Sequence, residues 1–314
     1  VTVFRANDMI DAGTDLESYT NYDRFLPSEI VKSISDVKTG KTTELSEEAK
    51  AIVGDNMDKV VLVDVSWGNA KASSYFSRGH VPGAFHVNSD CYERPRVYVP
   101  EKRADYAKEW RLISLEEFSD TDESTLVIPT SVESFGTDTI ANPDEIVWTD
   151  SIKKILSGEM EGQVVDNRGE DCWNGTSSGY SYHDLAGRID GSIWCTEGDE
   201  ENGEYFINID YTARTKDEFV NYMKSNGVDT NKLVAFFCGD SWGAATIAYW
   251  CQSVDLNNIK EWGTGWIPWS NEGNEFIDHN GNKVHYDKYL DAVVDENGKD
   301  VSDGVNILAD EEQK

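Results

Sequence analysis

Cys238 is the residue whose type and setting best suit covalent chemistry. Its thiol closes the apolar run Lys232-Leu-Val-Ala-Phe-Phe237 and opens the loop Cys238-Gly-Asp-Ser-Trp-Gly-Ala244. The helix-forming stretch Ala245-Thr-Ile-Ala-Tyr-Trp-Cys251 follows at once. A thiol at a strand end, ringed by backbone N–H groups and facing a helix N-terminus, sits where a thiolate is stabilised. Such a thiolate can attack a substrate and carry part of it covalently. Gly239, Ser241, Gly243 and Ala244 are small, so the backbone can curl tightly around the sulfur. Asp240 works against the anion, because a carboxylate beside a thiolate disfavours it and repels an anionic reactant. The loop also lacks any Arg, Lys or Thr.

The elements that must position this thiol read as an α/β pattern. Apolar strands without polar alternation, interleaved with helical segments, imply parallel sheets covered by helices on both faces. Function in such sheets collects at the carboxyl ends of strands, where Cys238, Asp166 and Arg168 all fall. One unit is written twice. Lys59-Val-Val-Leu-Val-Asp-Val65 precedes Gly79-His-Val-Pro-Gly83, and Gln163-Val-Val-Asp-Asn-Arg168 precedes Gly187-Arg-Ile-Asp-Gly191. A repeat of this size points to tandem domains rather than a solenoid. The join falls near Asn142-Pro-Asp, ahead of a helix expected over 151–156, N-capped by Thr149 or Asp150 and stopped by Gly158. Beyond Ser270 the chain turns acidic, and Asn280-Gly281 and Asn297-Gly298 are hairpin signals. Asp278-x-Asn280-x-Asn282 fails as a calcium loop, since Lys283 stands where Gly and Tyr289 where Glu would be required.

Composition narrows the function. The 314 residues suit about two domains. A hydrophobic content of 39%, with 10 Trp, 14 Tyr and 11 Phe, is enough for real cores. The net charge of −31 argues against nucleic-acid or anionic-membrane partners and suits the solvated surface of an exported protein. No apolar run approaches the length of a membrane span, and Val1-Thr-Val-Phe4 has no charged-then-apolar leader. The five cysteines leave at least one unpaired thiol if the chain is oxidised intramolecularly. No Cys/His cluster has metal-ligand spacing, so no metal is expected.

Taken together, these motifs resemble the rhodanese family of sulfurtransferases. Asp64 with Gly79–Ala84 is similar to the first signature of a rhodanese domain, and Asp166-Asn-Arg168 with Gly187–Gly191 to its second occurrence. Cys238–Ala244 resembles the sulfur-carrying loop, and Gly263-Thr-Gly-Trp-Ile-Pro-Trp269 the closing turn. Gly175-Thr-Ser-Ser-Gly-Tyr-Ser-Tyr182 is similar to the exported multi-domain thiosulfate sulfurtransferases of bacteria. The resemblance covers roughly 55–95 and 145–270, and the order of the motifs is more specific than any one of them.

The resemblance implies two rhodanese-like domains, a degenerate one over 1–142 and a catalytic one over 143–272, followed by an acidic, hairpin-rich extension over 273–314. It implies that Cys238 takes sulfane sulfur from thiosulfate or a similar small-molecule donor and passes it, as a persulfide, to a thiol or cyanide acceptor without a cofactor. Arg168 either reaches toward the donor anion or pairs with Asp166, which anchors the loop. Trp242 either lines the pocket mouth or packs between domains. Cys251 is expected in the helix core, and Cys172 and Cys195 are candidates for a disulfide. The first domain has Pro129-Thr-Ser-Val-Glu-Ser-Phe-Gly136 where its sulfur loop should be, and Cys91 comes too early to serve. An exported location follows: periplasmic, extracellular or surface-associated. Cys-dependent phosphatases share the architecture but need Arg six residues after the cysteine, where this chain has Ala244. The rival reading is a degenerate binding or scaffold module of the bacterial surface.

Overall fold

In a computed structural model the described residues are 26–66, 73, 76, 79–88, 143–198, 205–208 and 214–302. The chain divides into two compact units, one of them Asp23–Ala141 and the other containing Asn142–Lys314. Both combine α-helices with parallel β-pairing.

In the first unit, helices α1 (Ser28–Lys38) and α2 (Glu47–Val53) close on a small core of Ile30, Ile34, Ala49 and Val53. Ser46 starts α2 by accepting the Ala49 N–H on its hydroxyl, which satisfies one orphan donor of the first turn. Strands β1 (Val63–Ser66) and β2 (Phe85–Asn88) pair in parallel, with Asp64 opposite His86. The strand expected over 59–65 is shorter and more open than its apolar sequence suggests. Val61, Val63 and Val65 are 60%, 50% and 49% exposed, so β1 is not covered on both faces among the described residues. Its one partner among them is β2. The segment 129–136, where the first domain's sulfur loop is expected, and Cys91 lie outside the described residues.

The second unit holds a five-stranded, all-parallel sheet in the order β3-β7-β6-β4-β5. Its strands are β3 (Ile146–Val147), β4 (Gln163–Asp166), β5 (Ile193–Trp194), β6 (Val234–Phe237) and β7 (Ile259–Trp262). Alternation along β4 and β6 splits their side chains between two cores. Val164, Ala235 and Phe237 join Trp262, Trp266 and Trp269 on one face. Val165, Val234 and Phe236 join Phe206, Phe219, Ile247 and Cys251 on the other. Both faces of a central strand are therefore buried, which explains why β6 reads as an unbroken apolar run. The three tryptophans are core residues, as is Cys251.

Helices α3 (Thr149–Ser157), α4 (Glu170–Trp173), α5 (Lys216–Ser225), α6 (Trp242–Ser253) and α7 (Trp266–Asn271) connect the strands. Helix α3 ends at Gly158 as expected, but Thr149 is its first residue and neither Thr149 nor Asp150 caps it. The Thr149 hydroxyl instead accepts from Trp262 Nε1 and bonds Thr264 Oγ1, a tertiary use that outcompetes the local one. Helix α5 carries a full capping box between Thr215 and Glu218.

Strands β8 (Phe276–Ile277), β9 (Lys283–Asp287) and β10 (Ala292–Asp295) form an antiparallel sheet in which Phe276, Val284 and Val293 enter the tryptophan-rich core. The β8–β9 turn is the Asn280-Gly281 hairpin, with the buried Asp278 carboxylate accepting the N–H groups of Asn280 and Asn282. A backbone bridge between Arg188 and Ile277 ties this sheet to the segment that follows β4.

Candidate active site

Cys238 follows β6, the middle strand of the sheet, and is 3% exposed. The peptide orientation of its loop is fixed from outside. The N–H groups of Trp266 and Ile267, at the start of α7, donate to the carbonyls of Cys238 and Gly239 at 2.9 and 3.1 Å. Both carbonyls are thus drawn toward α7, and the N–H on the far side of each peptide points the other way. Gly265, at φ +72, makes this close approach possible, because a β-carbon there would stand 2.6 Å from both carbonyl oxygens. The closing turn 263–269 is therefore the clamp that shapes the sulfur loop.

The remaining loop residues are held one by one. The Gly239 N–H donates to the Tyr180 hydroxyl at 2.8 Å, and the tyrosine ring lies where a Gly239 side chain would go. Asp240 is partly buried. Ser241 is buried and takes a left-handed φ of +75, a conformation that favours glycine. Its hydroxyl donates to the Trp262 carbonyl, an anchor that glycine could not supply. Trp242 begins α6 with its side chain 47% exposed, while Ala244 is buried in the core beneath. At Gly243 a side chain would collide with the carboxylate of Glu197, itself 1% exposed. A buried carboxylate thus rests on the first turn of α6, where helix N-termini favour negative charge.

Arg168 and Asp166 are both fully buried. Asp166 Oδ1 accepts the backbone N–H and Nε of Arg168, Oδ2 accepts its NH2 group at 2.7 Å, and NH2 also donates to the Gly187 carbonyl. The guanidinium stacks 4.5 Å from the Trp266 ring. Burial alone would lower the arginine pKa, but the Asp166 charge and hydrogen bonds outweigh it and leave the pKa raised. Of the two readings open for Arg168, the ion pair with Asp166 is the contact present. It braces the turn at Gly187 and, through Trp266, the clamp.

Tyr180 and Glu197 carry no role in the sequence reading. Their contacts with the loop are distant in sequence, and the one available signal was glycine at 239 and 243, which marks places where something large sits close. Cys172 and Cys195 are thiols and no disulfide joins them, which corrects that expectation. Cys195 follows β5 and Cys172 lies in α4, where its Sγ packs against Gly179. His183 is buried against the Ser270 hydroxyl. No group of His, Cys, Asp or Glu among the described residues has the arrangement of a metal site, and no helix among them is long and apolar enough to cross a membrane.

A cysteine on a clamped loop between a central parallel strand and a helix stands where function collects in α/β sheets. Thiosulfate sulfurtransferase YnjE of Escherichia coli (strain K12) is 28% identical over 139 residues, which is 44% of this chain and 32% of that protein. The match thus spans about a third of the relative's length. A variant of EanB in complex with hercynine superposes with a TM-score of 0.62 at 21% identity, over 87% of this chain and 74% of that one. An anaerobic ergothioneine biosynthesis enzyme from Chlorobium limicola, bound to trimethyl histidine, gives 0.58 at 21% identity over 85% and 72%. These structures share the fold. No family model matches the chain.

Proposed function

We propose that this protein is a sulfurtransferase of the thiosulfate sulfurtransferase type, moving sulfane sulfur from thiosulfate or a similar donor to a thiol or cyanide acceptor through a Cys238 persulfide. The observation that carries the reading is the place of Cys238, at the end of the central strand on a loop whose Cys238 and Gly239 carbonyls are clamped by α7 and which runs into the first turn of α6, where negative charge on a sulfur is favoured. Similarity to YnjE supports the same class of chemistry. In this reading 143–272 is the catalytic rhodanese domain, 1–142 a rhodanese-like domain without a sulfur-carrying cysteine, and 273–314 an acidic extension. Loop residues 239–244 cradle the sulfur, while Asp166 and Arg168 support the turn behind it. The acidic surface suits an exported location.

A second reading, a catalytically silent binding or scaffold module, draws on one observation. Arg168, for which contact with a donor anion is one of two readings, is fully buried and paired with Asp166. Intact mass after incubation with thiosulfate separates the two, with Cys238→Ser as control. A gain of one sulfur that depends on Cys238 supports the transferase. No gain with thiosulfate, mercaptopyruvate or polysulfide leaves the binding module.

A further inference from the structure

Asn167 is fully buried, and neither Nδ2 nor Oδ1 of its side chain has a hydrogen-bond partner among the described residues. An orphaned buried amide is costly, and such groups in native proteins usually have a reason. Its position supplies one. Strands β4 and β6 pair in parallel with Val165 opposite Phe236 and Asp166 opposite Phe237, so the next step of the register sets Asn167 beside Cys238. The Asn167 N–H donates to the Phe237 carbonyl at 3.0 Å, which keeps the two chains together at that step. Neighbouring strands lie about 4.8 Å apart, so residues in register present side chains next to one another.

Facing follows from alternation. Val164, Ala235 and Phe237 lie in one core and Val165 and Phe236 in the other. The next residues, Asn167 and Cys238, therefore turn toward the side of Val165 and Phe236, which is also the side of Ala244 and Ile247 on α6. The Asn167 carbonyl accepts the Glu197 N–H at 3.1 Å. An amide with both polar atoms unspent thus stands next to the thiol in a loop that carries no cation.

We propose that Asn167 is the sulfur-binding residue of the site, donating Nδ2–H to the outer sulfur of the Cys238 persulfide. This rests on the sulfurtransferase reading and supplies the neutral donor that stands in for the missing loop cation. In the first half-reaction the Cys238 thiolate attacks the sulfane sulfur. A new Sγ–S bond forms as the donor's S–S bond breaks, and the leaving group departs with the electron pair, as sulfite when the donor is thiosulfate. The outer sulfur then bears the negative charge, and Asn167 stabilises it without giving up a proton. In the second half-reaction the acceptor's lone pair takes that sulfur, and the Sγ–S electrons return to Cys238 as thiolate.

Asn167→Leu keeps the approximate shape and removes both orphaned polar atoms. The melting temperature is expected to hold or rise, while the persulfide yield from thiosulfate, read by intact mass, falls roughly 10- to 100-fold, the span of a hydrogen bond to a charged group. Asn167→Asp keeps the shape with no amide donor and is expected to lose persulfide in the same way. A merely structural asparagine would lower stability in both variants and spare the persulfide in whatever fraction stays folded. A leucine variant that accumulates as much persulfide as the wild type overturns the proposal. If both variants fail to fold, the Asn167 side-chain amide protons of the wild type, followed by NMR, must shift when the persulfide forms, and unchanged signals overturn it. Wild-type protein that takes no sulfur from any donor defeats the sulfurtransferase reading itself, and the role of Asn167 falls with it.

Discussion

A β-carbon on Gly243 would overlap the carboxylate of Glu197, so a loop glycine and a buried acid occupy one space between them. The relationship explains why the loop has no larger cationic or hydroxyl residue at that position. Gly243→Ala should force the acid out of place and destabilise the protein by about 1–3 kcal/mol, the usual range for overpacking. In Glu197→Ala the same glycine substitution should cost clearly less. Thermal unfolding of the four proteins in the cycle measures this coupling, and additive effects would contradict it.

Asp240 is the second carboxylate of the loop, and it should hold back ionisation of the Cys238 thiol. Asp240→Gly is expected to raise the rate of iodoacetamide alkylation at neutral pH, by roughly tenfold for each unit the thiol pKa falls. Peptide mapping must place the label on Cys238. An unchanged rate would mean that the carboxylate points away from the sulfur.

Ser241 combines a left-handed backbone with a hydroxyl bond to the Trp262 carbonyl. Ser241→Gly relieves a strain of about 1–2 kcal/mol but gives up the bond, so denaturation should move little. Ser241→Ala keeps the strain and leaves the carbonyl unsatisfied, with an expected loss of about 1–3 kcal/mol. Urea unfolding that ranks alanine at or above glycine would rule out the anchoring role.

The buried thiols set the alkaline limit. Burial pushes the Cys195 thiol up to about 12, with the Tyr222 hydroxyl pulling the other way, and burial raises Cys251 as well. A folded-state pKa above the unfolded value of about 8.5 means that folding favours the protonated thiol. That stability is fully present below the unfolded pKa and is lost as pH rises from there toward 12. Urea midpoints should fall across this window, and Cys195→Ala should flatten part of the fall. At pH near 8 iodoacetamide should leave Cys195 and Cys251 unlabelled in the native protein, and early labelling of either would refute their burial.

Much of the frame could be read from the chain because the signals are local. An unbroken apolar run announces the central strand β6, small residues after it announce a tight loop, and Asn280-Gly281 announces a hairpin. The two Gly-x-[Val/Ile]-x-Gly turns share a conformation as well as a spacing, with φ of +157 and +79 at Gly79 and Gly83 and of +153 and +83 at Gly187 and Gly191. Sequence fails where a side chain is claimed by a distant partner. Thr149 looked like a helix cap until Trp262 and Thr264 took its hydroxyl. Cys172 and Cys195 looked like a pair until the sheet set them apart in different elements.

The amino-acid sequence by itself determined the setting of Cys238, since strand, loop and helix around it are each fixed by residues a few places away. Only the tertiary structure decided what surrounds the sulfur. The clamp from Trp266 and Ile267, the Tyr180 hydroxyl and the Glu197 carboxylate reach the loop from other segments, and strand pairing brings Asn167 to the end of β6. Their approach depends on strand register and on glycines that let backbones close, and register is a property of paired strands that no single segment carries.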